Sequence, residues 1–366
     1  MSSSSVDRPA DASPRPIAPG GDPFGTHRAV DPLGSLPQPA KRVDNDFSRL
    51  FDGEILLQVE TLNVDAASFR QMEEAAGMNP DIDAAVARAV VDTVHTRGKQ
   101  HNPVTGSGGM LLGRVLQLAP GRPEGEGIAV GDRVATLVSL SLTPLKIDRV
   151  KAVRRASAQL DIDGEAILFA SGAYAKMPSE LPDRLALALL DVAGAAPQVA
   201  RLVKPGSSVL ILGAGGKSGI LCAAEARRSG GRTARIIGIE SYPTYAEELR
   251  ALEICDEVIQ ADARDPVAVR REVLAANGGR EVDVSFSCVN VADAEMGAIL
   301  STRDRGVAYF FAMSTSFTKA ALGAEGVGKD LDLMIGNGFA VGHAEHTLAM
   351  MKSMHAVRAV FEARYG

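Results

Sequence analysis

Between Val209 and Gly219 the chain reads Val-Leu-Ile-Leu-Gly-Ala-Gly-Gly-Lys-Ser-Gly. No other stretch narrows the possible folds as much. Val209–Leu212 is apolar and too short for a helix, as a buried parallel strand should be. Glycines follow, then Ile-Leu-Cys-Ala-Ala-Glu-Ala-Arg-Arg over 220–228, an amphipathic helix with its basic residues at the C-terminal end. A second apolar strand, Arg235–Ile239, leads to Glu240, 21 residues after Gly219. A diphosphate needs this order of parts. Glycines let backbone N–H groups approach closely, the next helix start carries positive partial charge, and an acid about 20 residues on accepts hydrogen bonds from a ribose. The expected dinucleotide contacts are Gly213, Gly215, Gly216, Lys217, Ser218, Gly219 and Glu240, with Lys217 or Ser218 able to reach phosphate directly. Glu240 favours NAD, because a carboxylate would repel the 2′-phosphate of NADP. Arg250, Arg264 and Ser241 leave NADP open. A plain strand–turn–helix with no nucleotide is the structural alternative.

The rest of the chain divides around this motif. Residues 1–22 are rich in Ser, Pro, Ala and Gly and read as a disordered leader. From 23 to 194 the pattern is β-rich, with strands expected at Glu54–Leu62, Gly113–Leu118, Arg133–Leu140 and Ala166–Phe169. A helical insertion over 80–97 carries Ile82, Val86, Val90 and Val94 at four-residue spacing. From 195 to 342 strand and helix alternate. Strands are expected at 208–212, 235–239, 256–260, 282–288, 306–312 and 331–336, giving a six-stranded parallel sheet. Asp262 after the third strand is placed near adenine, and Val289, Asn290 and Val291 after the fourth near the nicotinamide ribose. A final helix, 343–366, is expected to pack back at the domain junction.

Composition narrows the partners. At 46% hydrophobic and 23% charged residues, 366 in all, this is a globular chain long enough for two cores. A net charge of −6 argues against nucleic acid, and no apolar run reaches the length of a membrane span. The three cysteines, Cys222, Cys255 and Cys288, have no metal-like spacing and point to a reduced, cytoplasmic setting.

Short motifs spread along the chain then carry a resemblance. They are Glu54-Ile-Leu-Leu-Gln-Val-Glu-Thr-Leu-Asn-Val-Asp65, Gly131-Asp-Arg-Val134, Gly172-Ala-Tyr-Ala175 and Lys204-Pro-Gly206. In this order they resemble the medium-chain dehydrogenase/reductase superfamily. That implies an α/β fold, with a β-rich GroES-like catalytic domain and a doubly wound parallel-sheet (Rossmann) nucleotide-binding domain. The spacing Gly213-x-x-Gly216-x-x-Gly219 is similar to the form in its zinc-free quinone reductases. Longer strings, His101 to Met110, Leu137 to Ile147, Leu190 to Ala195 and Thr315 to Asp330, resemble the L-erythro-3,5-diaminohexanoate dehydrogenase family of lysine fermentation. The implied reaction is NAD(P)-dependent oxidative deamination of the 3-amino group, giving 5-amino-3-oxohexanoate and ammonia. A homodimer paired through the edge of the nucleotide sheet is implied as well. A quinone or enoyl reductase, or a nucleotide-binding protein without activity, are the competing readings.

The resemblance also locates the chemistry. Asn63 stands where zinc-dependent relatives carry a cysteine ligand, Ser107 to Met110 replace their His-Glu pair, and no cysteine cluster occupies 115–165, so no zinc is expected. An amine gives up hydride only when neutral, so without a metal a general base must deprotonate the substrate ammonium. Asp65 is the first candidate, sitting where relatives place a relay hydroxyl; its structural alternative is an N-cap over Ala66–Glu74. Asp191 is the second, in the apolar run Leu185–Ala196, where a carboxylate needs either a shifted pKa or a buried partner. His101, beside the glycines at 106–109, and Lys146, after Pro144, complete the catalytic set, each with a purely structural alternative. Gly323–Gly328 reads as a loop carrying Glu325 and Lys329, and His343 and His346 as caps of the last helix rather than metal ligands.

Overall fold

The structure, a computed structural model, describes residues 13–366 apart from 103–105, 123–126 and 337, and omits the side chains of 66 and 67. The chain forms two compact units that meet in sequence at Met177 and Pro178. The sequence pattern placed this change at 194/195. Helix α3 (Asp183–Leu190) explains the difference: its Leu185 and Leu189 pack into the same core as Val209, Ile211 and Val284 of the second unit.

In the first unit six strands form one antiparallel sheet. They are β1 (Ile55–Asn63), β2 (Met110–Leu118), β3 (Arg133–Thr136), β4 (Leu145–Arg154), β5 (Gln159–Leu168) and β6 (Tyr174–Lys176), in spatial order β6-β3-β2-β1-β5-β4. Strand β3 stops four residues before the expected Leu140, because the Ser139 hydroxyl caps a tight turn by accepting from the Ser141 N–H at 3.2 Å. Helices α1 (Ala66–Ala76) and α2 (Ile82–Arg97) follow β1. Val86, Val90 and Val94 of α2 are buried against Leu57, Val59 and Leu145, as four-residue spacing on one helix face requires. Asp81 caps α2 by accepting from the Ala84 N–H (2.9 Å), and Gly98, at φ 71°, ends it in the left-handed conformation. The described part of the expected 1–22 leader is held to the first unit. Ile17–Ala18 pairs with Leu50–Phe51, and the Arg15 N–H donates to Gln117 Oε1 at 2.8 Å. Residues 1–12 lie outside the described residues.

The second unit holds six parallel strands: β7 (Ser208–Leu212), β8 (Arg235–Glu240), β9 (Glu257–Gln260), β10 (Val282–Ser287), β11 (Thr302–Phe310) and β12 (Asp332–Ile335). Their order, β9-β8-β7-β10-β11-β12, reverses direction between β7 and β10. In such sheets the crevice beyond the carboxyl ends at the reversal point is the ligand site, and the glycine turn leaves β7 there. Helices α4 (Ala195–Leu202), α5 (Lys217–Gly230), α6 (Pro243–Ala251), α7 (Pro266–Ala276) and α8 (Glu295–Ser301) connect the strands. Two helical expectations change. Gly323 to Gly326 belongs to helix α9 (Phe317–Gly326), because Ser316 caps it and Ala320 and Ala324 bury one face. The last helix is two, α10 (His343–Ser353) and α11 (His355–Tyr365), broken at Met354. The break turns Met350 and Met351 on one half, and Val357 and Phe361 on the other, into one core.

Candidate active site

The glycine turn is built by close approach. Gly213 has φ 71°, and both its N–H and that of Ala214 donate to the Ile239 carbonyl, at 2.9 and 3.0 Å. At Gly219 a Cβ would come within 2.1 Å of the Gly213 carbonyl oxygen, so only glycine lets α5 start this near the strand. No side chain caps α5 at Gly216. The first-turn amides of a helix have no intrahelical acceptor, and here they face the turn at the positive end of a fourteen-residue helix. This cradle fits a diphosphate. Val289 packs on it, its Cγ2 lying 3.2 Å from where a Cβ of Gly213 would sit. The Ser314 hydroxyl donates to the Val289 carbonyl at 3.0 Å, while Asn290 and Val291 are exposed.

Glu240 closes β8 with a buried carboxylate. One oxygen accepts the Gly215 N–H at 2.9 Å; the other accepts the N–H groups of Ser241 and Tyr242, at 2.8 and 3.0 Å. The acid therefore sets the turn's shape. Asp262 stands apart, exposed and paired with Arg264 at 2.6 Å, and that guanidinium holds its carboxyl below the ordinary range.

Asp191 has the buried-partner solution. Lys217 donates to its Oδ2 at 2.7 Å. Burial opposes the charge on Lys217, but Asp191 outweighs it and the lysine pKa is raised. The chain's end joins this cluster, a feature with no signal in the sequence. The Lys217 ammonium lies 5.8 Å from the Tyr365 ring centre, and Arg364 donates to the Gly215 carbonyl at 2.7 Å while lying 4.1 Å from the Tyr245 ring centre.

In the first unit Asp65 is the N-cap of α1, so the structural alternative for it is realised. Its Oδ1 accepts the Ser68 N–H at 2.9 Å, and its Oδ2 accepts the Ser68 hydroxyl. The cap does not exclude chemistry, because it fixes the carboxylate's orientation. The Asn102 amide donates to Ser68 Oγ at 2.8 Å and to Gln71 Oε1 at 3.1 Å. His101, next to Asn102, has its Nδ1 buried and without a partner among the described residues, and Gln100 Oε1 is in the same state. Burial, then the charges of Lys99 and Arg97, lower the His101 pKa and so favour the neutral ring. Asp65 and His101 thus border one polar chain that runs through Ser68 and Asn102. Ser68, Gln71, Gln100 and Asn102 were not singled out in the sequence; the Asp65–Ser68 spacing, which suits an N-cap, was the available signal.

Lys146 does not join that chain. It lies on the sheet's edge strand β4, half exposed, with Asp148 at 3.2 Å. Asn63 is buried and accepts the Gln159 amide at 3.0 Å. Lys329 pairs with Glu281 at 2.6 Å. His343 contacts the Ala340 carbonyl at 2.6 Å and His346 contacts Glu225 at 3.1 Å. Among the described residues no three His, Cys, Asp or Glu side chains converge as metal ligands.

Comparison with known proteins adds independent findings. Residues 27–178 match the family model for the L-erythro-3,5-diaminohexanoate dehydrogenase N-terminal domain. The L-erythro-3,5-diaminohexanoate dehydrogenase of Acetoanaerobium sticklandii is 51% identical over 93% of this chain and 98% of its own length. The protein of that name from Fusobacterium nucleatum is 48% identical over the same shares. Among solved structures, mycobacterial Rv1454c complexed with NADPH aligns with 90% of this chain and 92% of its own at TM-score 0.55 and 18% identity. AibC aligns with 84% of this chain and 79% of its own at TM-score 0.54 and 20% identity. At these identities the structures establish the fold alone, two α/β units of this architecture.

Proposed function

The chain belongs to the L-erythro-3,5-diaminohexanoate dehydrogenase family, and from that premise we propose that it oxidatively deaminates 3,5-diaminohexanoate at C3 with NAD and without zinc. The products are 5-amino-3-oxohexanoate, ammonia and the reduced cofactor. The observation that carries the reading is the near-full-length match to two dehydrogenases of this name. The cradle behind β7 supports the cofactor, and a carboxylate at Glu240, bonded to the Gly215 turn at the spacing from the glycines that a ribose-binding acid has, supports NAD over NADP.

Nicotinamide, when bound, supplies the hydride acceptor. Gly213–Gly219 would hold its diphosphate, Lys217 and Asp191 brace the start of α5, and Val289 borders the cradle. Asp65 takes the proton from the C3 ammonium, leaving a lone pair on nitrogen. Asp65 passes that proton to solvent, which restores its carboxylate before hydride leaves C3. The lone pair then becomes the C=N bond of an iminium, and the carboxylate stabilises the new charge. The same carboxylate draws a proton from the water that adds to C3. The resulting carbinolamine expels ammonia and leaves the ketone. The Ser68 N–H and hydroxyl hold the carboxylate in one orientation throughout. Asn63, buried on Gln159, offers a neutral amide and no thiolate, in keeping with a reaction without zinc. A cytoplasmic homodimer paired along β12, the edge strand of its sheet, completes the reading.

The test supplies 3,5-diaminohexanoate with NAD or NADP and follows the absorbance of the reduced nicotinamide. Reduction with NAD at a kcat/KM at least tenfold above that with NADP is the expected result. No reduction with either, together with turnover of a quinone or an enoyl thioester, would sink it.

A further inference from the structure

We propose that the cavity between α1 and α2 receives the substrate's second ammonium group, the one on C5, and that Gln71 and Gln100 select for it. This rests on the function proposed above. Both helices build the space. Ser68, Gln71 and Met72 face it from α1, and Ala85 and Ala89, one turn apart, face it from α2. The small side chains on α2 leave a cavity of about 390 Å³, the room of roughly a dozen waters at ~30 Å³ each. That accommodates part of a six-carbon chain with its hydration.

The lining decides which end of the substrate enters. It contains no Lys, Arg, Asp or Glu among the described residues. A carboxylate would find no cation there. An ammonium carries three donors and no acceptor, so it needs neutral oxygens and nitrogens with free lone pairs. The lining offers those. Gln100 is 3% exposed and, among the described residues, its Oε1 has no partner; His101 Nδ1 is likewise buried and unpartnered among them. Gln71 Oε1 accepts one bond, from Asn102, and keeps a second lone pair. Orphaned buried acceptors are costly in any fold, and a cationic donor offsets that cost.

Position then assigns the amine. Ser68 lines the cavity and its hydroxyl donates to Asp65. The wall of the cavity therefore begins one hydrogen bond from the carboxylate that deprotonates the C3 ammonium. C5 is two carbons from C3, so an amine on C5 enters the cavity when the one on C3 meets Asp65.

A site built to hydrogen-bond a group rejects the analogue that lacks it, because its own polar atoms are left unpaired. The experiment compares kcat/KM for 3,5-diaminohexanoate and for 3-aminohexanoate, which lacks the C5 amine, in the wild type, Gln100→Leu and Gln71→Leu. The wild type should prefer the diamino acid by at least about 100-fold. Each variant should lower that ratio at least about tenfold, mostly through the KM of the diamino acid, and Gln100→Glu should restore it. Gln71 lies on a surface helix, so its variant keeps the test open where Gln100→Leu fails to fold. A ratio within twofold of wild type in both variants overturns the inference alone. A wild type that oxidises neither amine overturns the function and the inference together.

Discussion

Replacing Glu240 by Gln tests how the cofactor turn is held. The carboxylate receives three backbone N–H groups, one on one oxygen and two on the other. Glutamine keeps a single acceptor oxygen. Turned toward Ser241 and Tyr242, it sets its NH₂ against the Gly215 N–H across a 2.9 Å contact, donor facing donor. One charge-assisted bond is lost, about 1.5–3 kcal/mol, and a buried N–H is orphaned, which overlaps that loss and brings the total to roughly 2–4 kcal/mol. Glu240 is 5% exposed, so solvent screening does little to reduce the figure. For a unit of this size the melting temperature should fall by roughly 4–16 °C. The assay is thermal unfolding with and without saturating NAD. The NAD-induced upward shift should also shrink, because the Gly215 turn opens. A variant that melts within 1 °C of wild type and keeps the full NAD shift would refute Glu240 as the brace of the turn.

The other expected outcomes concern chemistry and pH. Asp65→Asn keeps an N-cap, so folding should change little, while turnover of the diamino acid should drop about 10²–10⁴-fold with dinucleotide affinity within twofold. Near wild-type turnover would remove Asp65 as the base. Asp191→Asn leaves Lys217 without an opposite charge; with side-chain exposures of 24% for Lys217 and 21% for Asp191, the cost discounts to about 1 kcal/mol. A double-mutant cycle with Lys217→Met should return coupling of that size, and zero coupling would contradict it. Burial lowers the pKa of His101 and His343 from their ordinary 6.5. Below that pH the unfolded chain binds more protons, so the melting temperature should decline as pH falls through about 6.5. Glu54 follows on the acid side. Burial raises its pKa, but Arg28 and His27 outweigh that and hold it below 4.5, so its contribution is present above that pH and lost as pH falls further. Glu54→Gln should shrink the second decline, to which Asp262 and Asp283 also contribute, and spare the first.

What the sequence disclosed follows from where its signals are local. Leu-rich and Val-rich runs between glycines mark parallel strands because both faces are buried, and the strands at 208–212 and 235–240 lie where those runs do. Val86, Val90 and Val94 announce α2 through spacing alone. Signals weaken where tertiary packing overrides composition. Glycines at 323 and 326 read as a loop, yet the Ser316 cap and the buried Ala320 and Ala324 hold a helix there. Nothing near Met354 marks the break that folds α10 and α11 into one core. Long-range partners were illegible for the same reason. Lys217 and Asp191 are 26 residues apart, and Arg364 meets Gly215 across 149. Asp191's apolar surroundings did show that it needed a partner. Lys146 reads in the sequence either as a site residue or as a solvated charge after Pro144, and the structure leaves it half exposed on β4.

The reaction itself is tested most directly by counting products from a substrate deuterated at C3. The diamino acid should yield one ammonia per nicotinamide reduced, and the deuterium should appear on the nicotinamide ring. Reduced cofactor without ammonia, or ammonia with the deuterium left on C3, would contradict hydride transfer from C3 of an amine.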